Sequence, residues 1–397
     1  MTGPAPNNSL TVVDLFAGCG AGSLGFLQAG FRVVGGVEID SEAADAYESN
    51  THVRPVVDDI RSVHGNQLLN QAGLQPGELT LLFGCPPCQS FTILRRGSDP
   101  GELDRRRNEL PVQYLRLVSE LWPRHLAFEN VPGMMEGRWK GYFRALLDGL
   151  DALGYRHRSE VVDAADFGVP QRRRRLLVVA SRVTEPGLPR PTHSADEADG
   201  LAAHRTVRQT IKDLRRLESG EVDPQDPLFH RARRHSDIAL RRLREVPEGG
   251  GRKDLPEDLQ LRCHKDHGGH YDIYGRMWWD RIAPTLTSGC TNVTRGRFAH
   301  PEQDRAITLR EAMLLQGFPL GAVLRGGVEA MALQIGNAVP PPLTRCLGDR
   351  IREMEQASPK AAIEARVAVS VQGRAKTVHT VLPRRASASR SRSRSAT

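Results

Sequence analysis

Two cysteines frame a proline pair in GCPPCQSFT, residues 84–92, directly after the apolar run at residues 79–83. A run of that length and composition is a buried strand, so Cys88 follows a strand's carboxyl end, where open α/β sheets bind ligands. A thiolate there is a soft nucleophile that needs cationic neighbours, because an unperturbed thiol ionises only near a pKa of about 8.5. It can add to carbon 6 of a pyrimidine ring if an acid stabilises charge on the far side, at ring nitrogen 3. Addition makes carbon 5 electron-rich enough to attack an electrophilic methyl group, and loss of the carbon 5 proton then expels the sulfur. Glu129 closes a second strand-like piece in HLAFENVPG and is the candidate acid; an ordinary exposed loop carboxylate is the competing reading. In QRRRRLLVVA four arginines run into an apolar strand. Side chains alternate along an extended chain, so Arg173 and Arg175 share one face and can bind phosphate or a base carbonyl. A merely solvated charge run fits poorly against a buried strand.

Cys85 and Cys88 also have the spacing of a zinc or redox pair. Cys263, His264, His267 and His270 could complete a metal site, but they lack a paired spacing, so no metal is expected. A redox pair would be followed by a helix. Here a polar segment with five arginines follows, ILRRGSDPGELDRRRNEL, which reads as a mobile loop suited to a polyanionic substrate.

The elements that must position these residues begin at TVVDLF, a short strand, continue through the glycine-rich GCGAGSLGF into a helix, and reach a second strand, FRVVGGVEID. Gly20, Gly22 and Gly25 satisfy G-x-G-x-x-G, and Glu38 can accept hydrogen bonds from ribose hydroxyls. That pair of features suits NAD or S-adenosylmethionine, and a tight turn without a ligand also produces it. RPVVDDI ends in Asp58 and Asp59, which either meet an adenine amino group or cap the next segment. LPVQYLRLVSELW has helical spacing and is closed by Pro123.

DLFAGCGAGSLGF, VEID, DDI, GCPPCQSFT, FENV, QRRRR and IGNAVPPPL stand in the order and approximate spacing of the DNA (cytosine-5)-methyltransferase family, which the chain resembles over about residues 11 to 350. The resemblance implies an α/β fold: a Rossmann-like S-adenosylmethionine-dependent methyltransferase domain, with a mixed, mostly parallel sheet, and a smaller target-recognition domain. It implies that Phe16, Ala17, Gly18, Gly20, Glu38, Asp59 and Ile60 line the cofactor site, with Pro87, Leu110, Asn337 and Val339 contributing. Cys88 would be the nucleophile, with Glu129, Arg173 and Arg175 around a cytosine flipped out of double-stranded DNA, since a stacked base is beyond its reach. Residues 89–110 would close over the DNA, and Cys85 would be a bystander. The same chemistry on transfer RNA is the nearest alternative. An inactive DNA-binding protein would not need Cys88, Glu129 and Arg175 together, and an NAD oxidoreductase leaves PPCQ and QRRRR without a role.

The resemblance divides the chain into a catalytic domain at 1–181 and 330–358, a small domain with the recognition region at 182–329, and a basic tail at 359–397. Within 182–329, FHRARRHSDIALRRLRE reads as a basic helix for phosphate contacts or as a solvated face, and Trp278 and Trp279 as DNA-facing or core residues. Leu309, Ala312, Met313 and Leu315 mark a structural helix; Leu343, Leu347 and Ile351 mark one that returns to the first domain. The net charge is +8, and RRASASRSRSRSAT at the end carries five arginines and no acid, a composition that cannot bury a core. Six scattered cysteines in 397 residues fit a reduced intracellular chain, not a disulfide scaffold. No stretch is long and apolar enough to span a bilayer, so a cytoplasmic, monomeric enzyme is expected, with a cognate restriction endonuclease or defence system as a partner.

Overall fold

The computed structural model describes residues 9–87, 110–197, 200–260 and 271–357. Cys88, the segment 89–109, the Cys263–His270 group and the tail lie outside them.

Among the described residues, strands β1 (Thr11–Leu15), β2 (Arg32–Glu38), β3 (Val56–Val57), β4 (Leu81–Gly84), β5 (His125–Asn130), β6 (Arg156–Asp163) and β7 (Arg174–Ser181) form one sheet in the order β3-β2-β1-β4-β5-β7-β6. The pairings are parallel except those of β7, which runs against both β5 and β6. The expected mixed, mostly parallel sheet is present. Its central strands are buried on both faces, and alternation sorts their side chains between two cores. Val13, Leu15, Leu82, Leu126, Phe128, Leu176 and Val178 join one core. Val12, Leu81, Phe83, Ala127, Leu177 and Val179 join the other.

Helices α1 (Ala21–Gln28), α2 (Ser41–Thr51), α3 (Gly65–Ala72), α4 (Leu110–Leu121) and α5 (Lys140–Ala152) flank the sheet. The Asp40 carboxylate caps α2 by accepting from Ala43 N at 2.8 Å, so VEID ends one element and starts the next. Farther along are α6 (Val207–Ile211), α7 (Asp237–Glu245), α8 (Leu309–Leu315), α9 (Val328–Asn337) and α10 (Pro341–Ala357). The final helix packs on α1 at Gly25, where an added Cβ would run into the Thr344 side chain and the Pro341 carbonyl oxygen. Gly22 admits Phe83 in the same way, with only 2.8 Å to the ring. Two glycines of the G-x-G-x-x-G match thus serve packing.

The basic stretch 229–245 is helical only over α7. Arg241 and Arg244 lie 3.6 Å from Asp258 and Asp304, and Arg242 donates to the Leu259 carbonyl. Trp278 is half-buried between the guanidinium groups of Arg281 and Arg297, at 4.7 and 4.4 Å, while Trp279 sits edge-on to His300.

Candidate active site

The order of strands reverses about β1, and a cavity of about 520 Å³ opens beyond the carboxyl ends of β1, β2, β4 and β5. One wall comes from the turn after β1. Phe16 has φ 59° and Gly18 has φ 53°, so the chain bends sharply there, and a Cβ on Gly18 would meet nothing within 4 Å. A non-glycine residue held at positive φ is strain of the kind that collects at binding sites. Glu38 Oε2 accepts from Gly18 N at 2.7 Å, and Oε1 accepts from Ile39 N and Asp40 N at 2.9 Å each. Burial pushes its pKa up, and those three N–H donors oppose the rise. Beneath lies Asp14, buried, accepting from Ser23 Oγ at 2.6 Å; burial pushes it to about 8, despite that bond and with a smaller push from Glu38. Cys19, also buried, is pushed up to about 12.

The opposite wall carries a different constellation. Glu129, 2% exposed, lies between two partners: Cys85 Sγ donates to its Oε2 at 2.7 Å, and Arg175 Nε stands 2.9 Å from its Oε1. Among the described residues, buried Oε1 makes an ion pair but no directed hydrogen bond. Arg173 also reaches the cavity, but its guanidinium donates to the carbonyls of Leu286, Gly336 and Ala338 at 3.0 to 3.2 Å. It therefore braces segments far apart in sequence. Asn337 and Val339, at and just beyond the end of α9, complete the rim.

Residues 10–353 match the model of the C-5 cytosine-specific DNA methylase family. The chain belongs to that family. It is a DNA (cytosine-5-)-methyltransferase whose cofactor is S-adenosylmethionine. A Type II methylase of Herpetosiphon aurantiacus, M.HgiDII, is 37% identical over 86% of this chain and 94% of its own length. The Type II methyltransferase M1.HphI of Haemophilus parahaemolyticus is 32% identical over 87% of each chain. The solved structure of an Entamoeba histolytica methyltransferase shares the fold, with a TM-score of 0.57 at 15% identity over 87% of this chain and 99% of the other.

In this DNA methylase Phe16, Ala17, Gly18, Glu38, Asp59, Ile60, Pro87, Leu110, Asn337 and Val339 all line the one cavity, as do Glu129, Arg173 and Arg175. Gly20 does not. It is the left-handed N-cap of α1, with φ 82°, and an added Cβ would crowd the Tyr47 ring at 3.0 Å. Asp59 is half-exposed and paired with Arg61 at 2.8 Å. Sequence reasoning passed over Ile39, an apolar side chain left 67% exposed at the cavity, as well as Asp14 and the α9 residues Leu333 and Gln334. Ile39 carried a signal: an apolar residue between two acids at a strand's end has no core to enter.

The donor set fits S-adenosylmethionine. The three N–H donors leave about one of the four lone-pair directions of Glu38 for a ribose hydroxyl. Ile39 and Ile60 supply apolar surface for a purine, and among the described residues in that part of the lining Glu38, Asp40, Asp58 and Asp59 face a single cation, Arg61. Such a wall favours a cationic sulfonium over the anionic diphosphate of NAD. Among the described residues no group of three or more His, Cys, Asp or Glu could hold a metal, and no helix is long and apolar enough to cross a membrane.

Proposed function

We propose that the enzyme methylates carbon 5 of a cytosine flipped out of double-stranded DNA, through a covalent adduct on Cys88, within one short recognition sequence. Supporting this reading above all is the meeting, in one cavity, of the Glu129–Arg175 pair with the Phe16, Gly18, Glu38 and Asn337 wall. Cys88 follows Pro87, which lines that cavity. Its thiolate adds to carbon 6. Glu129, acting as the acid, donates a proton to ring nitrogen 3 as the electron pair displaced by the sulfur moves there and takes it back when the sulfur leaves, while Arg175 holds the carboxyl group in place and offers its remaining N–H groups to the base. Arg173 is a positioning residue that fixes the Leu286 and Ala338 segments around the ring. When bound, S-adenosylmethionine supplies the electrophilic methyl group that carbon 5 accepts. Loss of the carbon 5 proton then restores the double bond and releases the Cys88 sulfur.

The region 182–329 reads the target, and the catalytic domain comprises 1–181 and 330–358. A restriction-modification system with a cognate endonuclease is the natural setting, because the chain is similar along most of its length to methylases named Type II. Labelled methyl transfer to unmethylated duplex DNA and, in parallel, to transfer RNA tests the substrate, with bisulfite sequencing of the acceptor. Label at cytosine within one DNA motif is expected; label in RNA alone would refute the DNA assignment. Cys88→Ser should abolish transfer while cofactor binding persists, and substantial residual turnover would refute the covalent route.

A further inference from the structure

We propose that Cys85, three residues before the nucleophile, is a positioning residue for the carboxylate of Glu129; this rests on the function proposed above. The sheet places the two side by side. β4 and β5 pair in parallel with Gly84 opposite Phe128, so the next residues, Cys85 and Glu129, are neighbours on the same face. That face is the one that carries Phe83, Ala127 and Leu177, and Arg175 lies on it two residues before Leu177, the partner of Glu129. Register alone thus gathers thiol, carboxylate and guanidinium at one strand edge.

The local chain then restricts how the thiol can point. A residue before proline is disfavoured in helical backbone angles and biased toward extended ones, and Cys85 precedes two prolines. Its N–H donates to Leu15 O at 3.3 Å, and Asn130 Nδ2 holds the Pro86 carbonyl at 3.2 Å, which ties the end of β4 to the end of β5. With the backbone extended and held at both ends, Sγ faces Glu129 Oε2 at 2.7 Å. A carboxylate on a two-carbon stem otherwise samples several rotamers. Gripped at Oε2 by the thiol and at Oε1 by Arg175, it keeps one, with Oε1 buried at the cavity and, among the described residues, lacking a directed hydrogen bond. An acid preset in this way meets the ring without reorganising.

The test is steady-state methyl transfer to unmethylated linear duplex DNA by the full chain, comparing wild type with Cys85→Ala and Cys85→Ser. Losing a hydrogen bond to a charged group should lower kcat of Cys85→Ala roughly tenfold and its unfolding midpoint modestly, with KM for S-adenosylmethionine within error of wild type. The serine hydroxyl sits slightly farther from Oε2 than the thiol but still within donor reach, so Cys85→Ser should stay within about threefold of wild type. A contact of purely structural value would lower the midpoint and spare kcat. Wild-type kcat in Cys85→Ala, or a serine variant as slow as alanine, would overturn the assignment. If alanine does not fold, a tenfold loss in the folded serine variant does the same. A wild-type enzyme that leaves duplex DNA unlabelled would overturn the functional reading and this inference with it.

Discussion

Replacing Gly25 with alanine probes the contact that joins the first helix to the last. A Cβ there would run into Thr344 Oγ1 and the Pro341 carbonyl oxygen, and would lie 2.8 Å from Arg345 N. Two of these three atoms are main chain, so no rotamer change relieves the crowding and α1 and α10 must separate. Overpacking of this kind costs roughly 1–3 kcal/mol, and the rigidity of both partners puts Gly25→Ala near the upper end. Better helix propensity returns up to about 1 kcal/mol, leaving a net loss of about 2 kcal/mol. Gly141→Ala is the matched control, because its Cβ would meet nothing within 4 Å in α5, so it should be neutral or stabilising by up to ~1 kcal/mol. With a urea slope of about 3 kcal/mol per molar or slightly more for a chain of this size, the Gly25→Ala midpoint should fall by roughly 0.6 M. Because α1 starts just after the Gly18 turn and α10 follows Val339, separation should also weaken S-adenosylmethionine binding in calorimetry. Equal unfolding midpoints for the two variants would refute the packing argument.

Two further perturbations follow from the site. Asp14, held near a pKa of about 8 in the fold against an ordinary 3.8, stays protonated while the unfolded chain ionises. The folded state therefore binds more protons between about pH 4 and pH 8, stability falls as pH rises through that window, and Asp14→Asn should flatten the fall and raise the unfolding midpoint at pH 8. An unchanged slope would place the titration elsewhere. Arg173→Lys cannot serve three carbonyls with a planar fork, so it should cost about 1–3 kcal/mol and reduce methyl transfer more than cofactor binding, as measured by denaturation, calorimetry and label incorporation side by side.

Alternation along a strand made Arg173 and Arg175 legible from sequence, since a period of two fixes faces in advance, and a place at a strand's carboxyl end did the same for Glu129. The turn after β1 was legible for a different reason: its glycines and the acid ending β2 are local to one another. Strand β6, RHRSEVVD, was not anticipated, because as the outermost strand it is largely exposed and lacks an apolar run. Helix α2, SEAADAYESNT, hides in the same way behind alanines and polar residues. Gly20 followed the motif yet faces Tyr47, and Cys85 read as a bystander because its partner lies 44 residues away, joined only by strand pairing. Long-range register also brought Leu333 and Gln334 to the cavity, and no local pattern announces it.

The brace at Arg173 has a consequence for how such a chain diversifies. The guanidinium grips Leu286, Gly336 and Ala338 through main-chain oxygens, and Arg172 N likewise donates to Ala283 O at 2.8 Å. Peptide carbonyls are the same whatever side chain they precede. At these contacts the sequence between Ser181 and Ala283 can drift without loosening the seam, and if that stretch reads the target as proposed, a new DNA specificity need not disturb the bonds that hold Arg173 in place.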